Sequence, residues 1–173
     1  MKKFSTRSVA LTGMLFALAI VLSFAEGMLT PIFGLPPGVK LGLSNIVVMF
    51  ALFYIGKPQA VLLAVLKGGF AMLTRGFIAG VLSLSGGLFS CLILILLTYL
   101  PFKISLLIFS VTGAVAHNIG QLIALSFVVT GSAYTVYYLP ILLISGVVMG
   151  SITSISLNAV MPALKKLGIY KEK

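Results

Sequence analysis

Apolar stretches of bilayer-crossing length follow one another along this chain with almost no charge inside them, and that pattern restricts the fold more than any motif does. Of 173 residues, 60% are hydrophobic and 8% are charged, against roughly 25% charged in a soluble domain. A globule of this size has to cover its outside with polar groups, and too few are present to do so. Lipid is therefore part of the solvent in which the chain folds.

A helix needs roughly 20 residues to cross a bilayer. Apolar runs bounded by Gly, Pro or charge mark six of them: Ser8 to Ala25, Leu41 to Ile55, Gln59 to Leu73, Phe77 to Leu100, Ile104 to Val129 and Tyr138 to Leu164. The expectation is an all-α integral membrane protein, one transmembrane domain over residues 1–173 with six transmembrane helices. The second and third runs are short for full spans, which calls for tilt, local thinning or a partly buried loop. The Met-Lys-Lys start resembles a signal peptide, but no cleavage site precedes a polar domain, so it reads as a retained first helix. Connections are compact at Gly56-Lys57-Pro58, at Pro101-Phe102-Lys103 and from Gly131 to Val136. The one long loop, Glu26 to Lys40, holds three prolines and three glycines and is a candidate lid.

Basic residues orient the chain. With both termini cytoplasmic, Lys2, Lys3, Arg7, Lys57, Lys103, Lys165, Lys166, Lys171 and Lys173 fall inside, nine of the twelve. Clusters placed between apolar runs are orientation signals, so the net charge of +10 does not indicate a nucleic-acid partner. The three exceptions are Lys40, Lys67 and Arg75. A charge at the bilayer centre costs ~2.5 to 3.5 kcal/mol on insertion scales and usually faces a partner or a cavity.

The only acids are Glu26 and Glu172, and there is no Asp. Chemistry built on paired carboxylates or carboxylate-bound metal is thereby disfavoured, and no catalytic residue, metal or cofactor is expected. Cys91 stands alone in an apolar run and reads as a packing residue. No phosphate-binding Gly-x-x-x-x-Gly-Lys-Ser/Thr loop occurs, so active transport would draw on an ion gradient or a partner protein.

Lys67, in the middle of the third run with no acid near it in sequence, is the sharpest single signal. Two readings stand side by side: an anionic substrate held between helices with help from Arg75 and Lys40, or a lysine that snorkels to an interface or a water-filled dip. His117 and Gln121 share a helical face with Asn118 beside them, fit either to hydrogen-bond a ligand or to join neighbouring helices. Ser83, Ser85, Gly86, Gly87 and Ser90 read first as close helix packing, and Ser44 and Asn45 open the second run under the same alternatives. On the first helix Gly13 and Ala17 lie four apart, and Ala19, Ser23 and Gly27 repeat the spacing, so another helix can approach, from this chain or from a separate subunit.

The stretches Pro37-Gly38-Val39-Lys40-Leu41-Gly42-Leu43-Ser44-Asn45, Ser83-Leu84-Ser85-Gly86-Gly87-Leu88-Phe89-Ser90 and Gly113-Ala114-Val115-Ala116-His117-Asn118-Ile119-Gly120-Gln121 resemble the Gx transporter family. That family is also labelled heptaprenyl diphosphate synthase component I, and it is similar to the substrate-binding S components of energy-coupling factor transporters. The resemblance implies a six-helix subunit of a bacterial cell membrane that captures a small anionic or aromatic molecule, a vitamin or quinone precursor in kind. It implies docking on a transmembrane coupling protein driven by two cytoplasmic ATPases, with Gly13 and Ala17 at the docking face. The ligand cavity it implies would draw on Lys40, Ser44, Asn45, Lys67, Arg75, Ser85, His117, Asn118 and Gln121. Lys67 stands where the family is expected to carry Arg, which keeps the charge and loses the bidentate fork. The rival reading is a noncatalytic membrane partner of prenyl diphosphate or quinone synthesis, or of a redox system at the cell surface.

Overall fold

The computed structural model describes residues 6–29, 42–101, 104–131 and 133–166. These form six α-helices and no strand among the described residues: α1 Thr6–Leu29, α2 Asn45–Tyr54, α3 Lys57–Arg75, α4 Phe77–Leu97, α5 Leu106–Ala124 and α6 Leu139–Lys166. Four helical stretches are long and apolar enough to cross a membrane, Ser8–Met28, Phe77–Leu97, Leu106–Val128 and Tyr134–Val160. The protein is accordingly a multi-pass membrane protein. Helix α2, with ten residues, rises about 15 Å, half of the ~30 Å hydrocarbon thickness. Helix α3 has 19 residues, about 28 Å by the same rise, and carries Lys67 along its buried side.

Local chemistry sets the boundaries. No breaker follows Gly27 until Pro31, so α1 continues through Leu29 and takes in Glu26, a residue the sequence pattern assigns to the long loop. Gly56, at φ 152°, separates α2 from α3, and Pro58 sits in the first turn of α3, where its missing N–H costs nothing. Ser105 caps α5 by accepting the Ile108 N–H at 3.3 Å. Helix α5 then widens into a π-helical turn, Leu125–Thr130, and a 3₁₀ turn, Ala133–Tyr138, leads into α6. The candidate lid over residues 30–40 lies outside the described residues, as do Lys40 and Lys103.

Helices α3, α4, α5 and α6 pack as successive neighbours; α1 and α2 lie against α3, and α2 also meets α6. Glycine sets the closeness of α4 to α5. A β-carbon on Gly86 would fall 2.8 Å from the His117 carbonyl oxygen, and one on Gly120 would fall 2.9 Å from the Ser85 carbonyl oxygen. With no hydrophobic drive between helices in lipid, this kind of close backbone approach is what holds them. The main buried cluster joins Ala19, the α2 run Val47 to Leu52, Leu63, Cys91, Leu94, Phe109 and Leu157. Cys91, buried within it, packs α4 on α3 with its sulfur 3.7 Å from the Ala60 carbonyl oxygen.

Candidate functional site

On α3 the buried stripe runs through Ala60, Leu63, Ala64, Lys67, Gly68 and Ala71. Helical periodicity therefore directs the Lys67 side chain into the bundle, among positions otherwise filled by small or apolar groups. Lys67 is 7% exposed. Its ammonium donates to the Asn45 side-chain oxygen at 2.5 Å, and Asn45 is the first residue of α2. The N-terminus of α2 adds roughly half a positive charge to the same place.

Around this pair lies a narrow, partly open cavity of about 10 Å³, room for roughly one water molecule. Ser23 and Glu26, one turn apart near the end of α1, form one wall; Ser44 and Asn45 come from α2, Phe70 and Arg75 from α3, Ser83 from α4 and His117 from α5. The ends of α1 and α3 and the beginnings of α2 and α4 thus meet at one end of the bundle. Glu26, 4% exposed, accepts the Gly42 N–H at 2.6 Å and so ties α1 to the residues that lead into α2. Arg75 is exposed on the rim and donates to the Ser23 carbonyl oxygen at 3.4 Å. Among the described residues of this lining, Lys67 and Arg75 stand against Glu26 as the formally charged groups, an excess of one positive charge. In a low-dielectric setting such an excess attracts an anion far more strongly than it would in water.

A second narrow space, of about 20 Å³, begins at the same Lys67 and Asn45 and runs deeper into the bundle. Its walls include Val48, Met49, Leu94 and Met149, with hydroxyls from Ser90, Ser110 and Thr153. Ser90 donates to the Gly113 carbonyl oxygen at 2.8 Å, whereas the fully buried Ser110 hydroxyl has no hydrogen-bond partner. Lys67 and Asn45 stand at the junction of a polar outer space and a largely apolar inner one.

The structure brings together Ser44, Asn45, Lys67, Arg75 and His117 on the outer cavity. It puts three other sequence candidates elsewhere. Ser85 donates to the Leu82 carbonyl oxygen of its own helix at 3.1 Å. Asn118 reaches α6, donating to the Leu142 carbonyl oxygen at 2.8 Å and to the Ser145 hydroxyl at 3.2 Å. Gln121 is buried beside Gly86, and neither atom of its amide has a hydrogen-bond partner. Gly13 and Ala17 lie on the exposed face of α1, while Ala19 and Ser23 are buried on its other side. Sequence reasoning passed over Glu26, Ser83, Ser23 and Phe70 as cavity residues. Glu26 carried a signal, being the only acid within reach of an apolar run. Among the described residues no three His, Cys, Asp or Glu side chains come together to hold a metal ion.

Comparison with curated proteins and with solved structures gives no match. The sequence model of the family described as heptaprenyl diphosphate synthase component I matches residues 15–160, from the first helix into the last, and the chain belongs to that family.

Proposed function

We propose that the protein is the substrate-binding subunit of an energy-coupling-factor type of transporter, holding a small anionic or aromatic molecule in the outer cavity. The observation that carries this reading is the buried Lys67, paired with Asn45 at the start of α2 on a cavity whose formally charged lining residues leave an excess of one positive charge. A cation kept at that depth in an apolar bundle is expensive unless it serves a pathway or a ligand. In this reading all six helices cross or enter the bilayer, both termini are cytoplasmic, and the cavity opens at the outer face of a bacterial membrane. Energy for release comes from a transmembrane coupling protein with cytoplasmic ATPases, docked on α1 through Gly13 and Ala17, which project away from the helical core.

The family description names a component of a heptaprenyl diphosphate synthase, which supports a second reading: a membrane partner of a prenyl-chain enzyme. The chemistry of prenyl transfer then resides in that enzyme, because a chain with no Asp offers no paired acids to hold diphosphate-bound magnesium. Purification in mild detergent separates the two. Recovery of a coupling protein with ATPases supports transport, and recovery of a prenyltransferase supports the second reading. Ligand uptake into cells carrying Lys67→Met tests the cavity itself: uptake equal to that of the unaltered protein would remove its basis.

A further inference from the structure

Between α1 and α3 runs a groove of about 300 Å³, roomier than either cavity and open toward the exposed side of α1. Its apolar walls are Ile20, Phe24, Met28 and Phe70, and Phe24 and Met28 are exposed on the outer face of α1. The groove abuts the outer cavity, and Ser23, Phe70 and Arg75 border both. From Ile20 to Met28 it follows α1 for eight residues, about 12 Å of helix rise. At its polar end stand Arg75 and, beyond it, Lys67; at its other end are side chains that suit lipid tails.

We propose that this groove is a lateral port, through which a single-chain amphipathic anion that resides in the bilayer places its head in the cavity and leaves its tail between α1 and α3. The proposal rests on the anion-binding reading of the cavity and adds the class of ligand. Two features favour this occupant over a water-soluble anion. The charged head meets Arg75 and Lys67 at the end where Ser23 and Thr74 also stand, while the tail meets Ile20, Phe24, Met28 and Phe70. Entry from the side also keeps the tail out of water, where each exposed methylene weakens binding about fourfold. Gly27 lines the groove, and a β-carbon there meets nothing within 4 Å, so the space beside it is open. A larger side chain at that position fills the port without disturbing the packed core.

The chain has no tryptophan, so Phe24→Trp creates a single emitter in the groove, and Ile155→Trp, on an exposed face of α6, is its control. Both are reconstituted as the full chain in nanodiscs and titrated with dodecyl phosphate brominated at its tail. The expected result is saturable quenching at Phe24→Trp, reversed by unbrominated dodecyl phosphate, and only non-saturable quenching at Ile155→Trp. Adding Gly27→Phe to Phe24→Trp should weaken the saturable phase about tenfold, a loss of the order expected when a tail site is filled; Gly27→Leu serves if the larger ring lowers yield. Equal, non-saturable quenching at both positions would overturn the port. Binding of methyl phosphate, measured alongside by calorimetry with and without Lys67→Met, reports on the cavity separately. Methyl phosphate binding that depends on Lys67, together with equal quenching, leaves the cavity reading standing and removes the port alone.

Discussion

The Lys67 ammonium lies 2.5 Å from the Asn45 side-chain oxygen, so that the middle of α3 is fastened to the first residue of α2. The bond orients the only buried Lys or Arg side chain among the described residues and puts it at the junction of a polar and an apolar space. Asn45 itself brings no charge to this bond.

Replacing Lys67 by Met separates folding from binding. Removing the ammonium leaves the Asn45 side-chain oxygen without its donor, so stability in detergent should fall by about 1 to 3 kcal/mol while the fold is kept. Ligand affinity should fall by about tenfold or more, the scale of a lost charge-assisted hydrogen bond. An unfolded variant, or one that binds normally, contradicts the role given to this residue.

Glu26 has two jobs that two substitutions divide. Glu26→Ala removes the acceptor for the Gly42 N–H and should cost about 1 to 3 kcal/mol of stability, as for an orphaned buried donor. Glu26→Gln keeps an acceptor oxygen and removes the carboxylate that stands against Lys67 and Arg75 in the lining, so it should bind anions more tightly than the unaltered chain does. Weaker anion binding in Glu26→Gln would mean that the carboxylate itself contacts the ligand.

Asn118 ties α5 to α6 through Leu142 and Ser145. Asn118→Leu should lower stability by about 0.6 to 2 kcal/mol, the range for interhelical hydrogen bonds in membranes, and leave ligand affinity alone. Thermal melts and binding isotherms of the same preparation check both halves. A tenfold fall in affinity with an unchanged melt would return Asn118 to the binding site.

Orientation is testable in whole cells. In a Cys91→Ala background, Thr74→Cys near the end of α3 should react with a membrane-impermeant maleimide from outside, and Lys57→Cys at its start should react only after permeabilisation. Lys57 lies over the Tyr99 ring at 3.7 Å, so both turns at that end of the bundle share one side. The reverse labelling pattern would invert the proposed topology.

How far these features were legible in the sequence differs from element to element. Hydropathy located α4 to within a few residues, because its apolar run is ended by Gly76 on one side and Pro101 on the other. It drew α1 too short: Glu26 and Gly27 look like loop residues in a linear reading, and only three-dimensional packing gives the carboxylate its partner at Gly42. Lys67 stood out because one charge in an apolar run is costly wherever it points. Asn118 and Gln121 were harder to assign. Adjacent positions on a helix differ in direction by about 100°, and which direction faces the cavity depends on how α4 and α6 dock. That docking is set by glycines whose contacts are invisible along one chain, such as Gly120 against the Ser85 carbonyl. Ser83 and Ser85 show the same limit: two residues apart, one borders the cavity and the other bonds within its own helix.

The interlocking of Gly86 and Gly120 has a mechanical corollary. Two backbones pressed that closely, with Gln121, His117 and Phe89 filling the space beside the glycines, leave little room to shift. On the facing side, α1 leans on α2 and α3 and turns its outer surface to lipid. Of the walls of the outer cavity, the one built by α4 and α5 is thereby set by backbone contact, and the one built by α1 is the less tightly fastened.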